Sequence, residues 1–166
     1  KMVTGTAAER RQILAEADSE DILLTSYDLL KRDISEYAGY KFRCEIIDEA
    51  QYIKNANTQA AKAVKEVQAD FRLALTGTPV ENRLSELWSI FDYLMPGFLY
   101  SYKKFREEVE IPAVQNSDED AMKRLQKMIR PFVLRRLKKE VLTDLPDKLE
   151  ENMFVQLTGE QQKLYD

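Results

Sequence analysis

The sequence predicts an α/β domain built on a parallel sheet, and three observations carry that expectation. Short, mainly apolar runs at residues 22–25, 44–47 and 71–75 are separated by stretches of helical periodicity. Such runs read as strands buried on both faces, as when crossover helices cover the two sides of a parallel sheet. Two of the runs end in punctuated polar sequences, Asp48-Glu49-Ala50-Gln51 and Thr76-Gly77-Thr78-Pro79. Ligands of such sheets sit outside the carboxyl ends of the strands, where both sequences fall.

Taken in order, Met2-Val3 reads as the end of a strand. Thr6, with Glu9 three residues on, has the capping-box spacing that opens a helix reaching Ala17. Residues 22–25 read as a short buried strand, and Tyr27 begins the next helix. A strand at 44–47, a helix over 58–67 with Ala61, Val64 and Val67 near one face, a strand at 71–75 and a helix over 85–95 follow. That last helix stops at Pro96-Gly97. Trp88, Phe91 and Leu94 on it read as core, as do Tyr37, Tyr40 and Phe42. Residues 101–110 are charged and aromatic, 112–120 read as a polar loop, and 121–128 as a basic amphipathic helix. Residues 153–157 read as a strand, and Glu160 opens a final helix.

Composition narrows the chemistry. The 166 residues suffice for one domain with a true core; 44% are apolar and 33% charged. There is no histidine, which removes Ser-His-Asp and Cys-His nucleophiles and histidine-held zinc. The one cysteine, Cys44, reads as a small buried side chain in a strand. No apolar run approaches the ~20 residues that cross a bilayer, so no membrane role and an intracellular setting (cytoplasm, nucleoid or nucleus) are expected. Residues 122–141 carry eight basic side chains against one acid, a net +7 on a chain of net charge −4. That block suits a polyanion-facing surface, and equally a solvated helix face paired with acids elsewhere.

Asp48 at a strand end is placed to hold Mg²⁺ through water, and Glu49 beside it to take a proton from an attacking water. The pair also suits the N-cap of a following helix. Thr76 and Thr78 put small hydroxyls at the same edge, where they would report the state of the first site. Turn chemistry is the competing account: Gly77 permits an unusual backbone angle and Pro79 starts a helix. No Gly-x-x-x-x-Gly-Lys-Ser/Thr phosphate loop occurs in the chain.

Four segments together resemble one family, the SWI/SNF-type helicase-like DNA translocase ATPases of superfamily two. Residues 24–30 (Leu-Thr-Ser-Tyr-Asp-Leu-Leu) resemble motif Ib. Residues 46–55 (Ile-Ile-Asp-Glu-Ala-Gln-Tyr-Ile-Lys-Asn) resemble motif II, the Walker B element, and 75–82 (Leu-Thr-Gly-Thr-Pro-Val-Glu-Asn) resemble motif III. Residues 129–141, running on to 145–148, resemble the family-specific segment after the first lobe. Gln51 stands where motif II usually has histidine, and Tyr100 where the family often has a small residue.

The resemblance implies a partial RecA-like, P-loop NTPase fold. Residues 1–100 would form the C-terminal part of the first lobe, 101–148 a helical protrusion and basic linker, and 149–166 the start of a second lobe. It implies Mg²⁺ and ATP in the full-length protein, neither bound by this stretch alone, and double-stranded DNA as partner. The P-loop segment and second RecA-like lobe of the same protein would complete the enzyme, and the stretch alone would be inactive. Asp48, Glu49 and Gln51 would be catalytic, with Asp48 on the metal. Thr76, Gly77 and Thr78 would couple nucleotide state to DNA grip. Thr25, Ser26, Arg135, Arg136, Lys138 and Lys139 would face the nucleic acid. Competing readings are a DNA- or protein-binding module without an ATPase role, and a carboxylate–metal phosphatase.

Overall fold

Residues Lys41–Ile47 (β1) and Gln68–Ala74 (β2) pair in parallel, with Lys41 opposite Gln68 and Ile47 opposite Ala74. The computed structural model describes residues 1–77, 83–136, 151, 153 and 159–165. The chain divides into two compact units, residues 1–128 and 129–166.

Within the first unit, a parallel pair demands a crossover, and Gln59–Glu66 supplies it as a helix. Thr58 caps that helix, its hydroxyl accepting from the Ala61 N–H at 3.2 Å. Ala61, Ala63 and Val64 bury its inner face. Preceding it are two helices, α1 (Ala7–Ala15) and α2 (Tyr27–Tyr37), so the crossover is α3. The expected capping box opens α1: Thr6 accepts from the Glu9 N–H, and the Glu9 carboxylate accepts from the Thr6 N–H at 2.7 Å. Arg10 of α1 is buried and forms an ion pair with Asp33 of α2. After β2, α4 (Leu84–Leu94) buries Leu87, Ile90, Phe91 and Tyr93. Val3, Leu14, Leu30, Ile47, Ile53, Val64, Ile90 and Tyr93 form one continuous core. Tyr37 belongs to it, and Tyr40, Phe42 and Leu94 pack against it as expected.

Several expectations need correction. Residues 22–25 form no strand; a single parallel bridge joins Met2 to Leu24, with Ile22 82% and Leu24 61% exposed. Cys44 is exposed. It shares a register face with Phe71, next to the exposed pair Ile46 and Leu73, so only the other face of the sheet is covered among the described residues. The expected loop at 112–120 begins as helix. Tyr102–Phe105 (α5), a π-type turn at Arg106–Glu110 and Ile111–Gln115 (α6) run in succession. Pro112 lies in the first turn of α6, directly after the π-type turn. The basic amphipathic helix α7 spans Glu119–Ile129 and buries Ala121 and Leu125.

In the second unit, Arg130–Phe132 make a 3-10 turn and Gly159–Tyr165 form α8. The strand expected at 153–157 lies, but for Met153, outside the described residues.

Candidate functional site

Because β1 and β2 run parallel and end in register, the chain leaves both at the same edge. The Leu75 N–H donates to the Ile47 carbonyl at 2.8 Å, and the Ala50 N–H donates to the Leu75 carbonyl at 2.9 Å. The segments after the two strands are thereby stitched together one residue beyond the sheet.

Asp48 follows directly on β1. Its Oδ1 accepts the Glu49 N–H at 2.8 Å, and its carbonyl accepts the Tyr27 hydroxyl, also at 2.8 Å. Glu49 then adopts a left-handed backbone, φ 50° and ψ 52°. A residue with a Cβ is strained there. The adjoining turn holds that strain in place: Ala50–Ile53 form a 3-10 turn whose Ala50 and Ile53 are wholly buried. The Ile53 carbonyl accepts the hydroxyl of Ser89, itself fully buried in α4, at 2.6 Å.

Gln51, in that turn, joins the two polar sequences. Its Nε2 donates to Glu49 Oε2 at 2.6 Å, while its Oε1 accepts the Thr76 hydroxyl at 2.9 Å. An amide can do both at once because it carries a donor and an acceptor on one side chain. Asp48, Glu49, Gln51 and Thr76 are thus brought together.

Gly77 does not use the unusual backbone angle that glycine permits, and among the described residues a Cβ there would meet nothing within 4 Å. Thr78 lies outside the described residues. Thr25 and Ser26 sit at the start of α2. The Thr25 hydroxyl lies 3.4 Å from the Val3 carbonyl, and Ser26 caps the helix by accepting the Leu29 N–H at 3.3 Å. Arg135 and Arg136 are exposed, in the second unit. Lys138 and Lys139 lie outside the described residues.

Two tyrosines join the site that strand-end reasoning passed over. Tyr27 stacks on Tyr52 at 5.4 Å between ring centroids. Burial pushes the Tyr27 phenol up to about 12, with Asp48 adding to the shift. The available signal was adjacency, since Tyr27 follows Ser26 and Tyr52 follows Gln51. Under the sheet lies a buried ionic group. Arg72 of β2 stands 3.3 Å from Glu45 of β1 and donates to the Tyr93 and Val67 carbonyls at 3.0 and 2.8 Å. Burial pushes the Glu45 carboxyl up to about 7, the Arg72 charge pulling the other way. Burial and the neighbouring Glu45 likewise raise the Tyr93 phenol.

Asp48, Glu49 and Thr76, linked through the Gln51 amide, stand at the carboxyl edge of a parallel sheet, the edge at which α/β domains bind their ligands. The chain belongs to the family described as SNF2-related domain, whose model matches residues 2–166. It is 44% identical over 168 residues to an uncharacterized ATP-dependent helicase of Mycoplasma genitalium, covering 100% of this chain and 16% of that protein. It is 43% identical over 154 residues to the putative ATP-dependent helicase/translocase YwqA of Bacillus subtilis, covering 92% of this chain and 17% of that protein. The fold matches the Sulfolobus solfataricus SWI2/SNF2 ATPase core in complex with dsDNA, with a TM-score of 0.69 and 45% identity. That match covers 87% of this chain and 31% of the other. The chain therefore spans less than a fifth of the length of the Mycoplasma and Bacillus relatives. Among the described residues no helix is long and apolar enough to cross a membrane.

Proposed function

We propose that this chain supplies the Walker B and motif III part of a DNA-dependent ATPase that moves along double-stranded DNA. The observation that carries the reading is the Glu49–Gln51–Thr76 hydrogen-bonded relay between the two strand ends. A phosphatase built on the acid pair gives Thr76 no task, whereas a nucleotide motor needs its hydrolytic base linked to the segment that senses nucleotide state.

The donor set fits Mg²⁺. Among the described residues no three acidic, histidine or cysteine side chains gather as a self-sufficient metal cage. Mg²⁺ is held through one or two carboxylates, with water and substrate phosphates completing its shell. Asp48 would hold it, and when bound the ion neutralises charge on the phosphates of ATP. Glu49 would orient the attacking water and accept its proton, a role worth about 10²–10⁴-fold in rate. Gln51, donating to the Glu49 carboxylate, fixes where that carboxylate points. The chain has no Gly-x-x-x-x-Gly-Lys-Ser/Thr stretch to cradle phosphates. The isolated chain is accordingly expected to be inactive, the phosphate loop and a second lobe coming from elsewhere in the whole protein. Thr25 and Ser26 would donate to DNA phosphates, and Arg135, Arg136, Lys138 and Lys139 would contribute sequence-blind charge.

Glu49→Gln in the full-length protein tests the reading. DNA-stimulated hydrolysis is expected to vanish while ATP still binds; near-normal turnover would refute it.

A further inference from the structure

Resting on the reading above, we propose that Tyr27 is a positioning residue for hydrolysis: its hydroxyl links the Thr25–Ser26 turn to the peptide that aims Glu49.

The peptide joining Asp48 to Glu49 is held at both of its polar atoms. Its carbonyl accepts the Tyr27 hydroxyl at 2.8 Å, and its N–H is taken by Asp48 Oδ1 at 2.8 Å. Rotation of this one peptide sets the left-handed φ of 50° at Glu49 and therefore the direction of that side chain. A strained conformer persists only where its surroundings over-determine it, and Tyr27 is the part of those surroundings contributed by α2, 21 residues earlier in the chain. The Tyr27 ring also stacks on Tyr52 of the 3-10 turn, at 5.4 Å and 25°. One side chain therefore grips the acidic turn at two points.

The other end of the connection is equally short. Tyr27 is the first residue of α2, and the residue before it, Ser26, is the cap of that helix. A displacement of the Ser26 backbone by a DNA phosphate is passed to Tyr27 across one peptide bond. Packing does not need the hydroxyl, since the stacked ring supplies that.

Tyr27→Phe in the full-length protein separates the two roles, because it keeps the ring and removes the donor. ATP hydrolysis at saturating duplex DNA, the KM for ATP and the melting temperature are the readouts. We expect kcat to fall about three- to tenfold, the rate equivalent of one neutral hydrogen bond. KM for ATP and the melting temperature should stay at the parent values. An unchanged kcat overturns the inference. So does a loss of kcat accompanied by a fall of several degrees in melting temperature, which would make the hydroxyl structural. A parent protein whose hydrolysis does not respond to DNA would instead refute the proposed function, and this inference with it.

Discussion

The hydroxyl of Thr76 donates to Oε1 of Gln51 across 2.9 Å, a bond between side chains 25 residues apart. It joins the segment after β2 to the turn after β1. A glutamine amide neither gains nor loses a proton at neutral pH, so this bond is indifferent to acidity. Gln51→His should make it sensitive. Neutral histidine can accept from Thr76 while donating to Glu49, whereas the imidazolium can only donate. The variant's kcat is expected to fall away from the parent's below about pH 6.5. Superimposable pH–rate profiles would show that the bond does not govern turnover.

Ser89 anchors the acidic turn from beneath. Removing its hydroxyl leaves the buried Ile53 carbonyl without this donor. Ser89→Ala is expected to cost about 1–3 kcal/mol and so to lower the melting temperature of the transition that unfolds this domain. Calorimetry of the full-length protein measures it, and an unchanged melting temperature would show that the hydroxyl adds nothing to stability.

Glu45 predicts a pH-dependent stability of unusual sign for a carboxylate. Its folded-state value is raised from 4.5 to about 7. Between those limits the folded state binds more protons than the unfolded state. The group's contribution is therefore fully present below about pH 4.5 and is lost as pH rises through about 7. The parent should melt higher at about pH 5.5 than at about pH 7.5, to a greater degree than Glu45→Gln does. The comparison is of slopes, because the variant also leaves Arg72 facing a neutral partner. Equal slopes would contradict the prediction.

Exposed Arg135 and Arg136 carry a binding prediction. Changing both to alanine should weaken duplex DNA binding equally across sequences. It should reduce the salt dependence of log K by about 0.9 for each phosphate no longer neutralised. A filter-binding titration against salt reads this directly, and an unchanged slope would remove the two arginines from the interface.

The placement of Asp48, Glu49 and Thr76 at one edge was legible because it follows from strand direction alone. Two parallel strands ending in register deliver their next residues to the same place. The link through Gln51 was not, since it depends on the 3-10 turn swinging residue 51 back towards residue 76. Tyr27 was missed for a similar reason: nothing in a helix-start tyrosine announces a partner 21 residues onward. Cys44 misled because a short, mainly apolar run reads as buried on both faces, and here only one face is covered among the described residues. Glu45 and Arg72 drew no reading from the sequence. Nothing in two charged residues on separate strands announces that the parallel register sets Glu45 opposite Arg72 on the covered side of the sheet.

The twist of the chain at Glu49 narrows which amino acids can follow Asp48, quite apart from chemistry. Valine, isoleucine or threonine there would collide with its own backbone before any question of proton transfer arose. Asparagine and glycine would relax into the bend comfortably, yet neither reaches as far as a glutamate. The position is thus selected twice over, once for tolerating a reversed corner and once for the length of its arm.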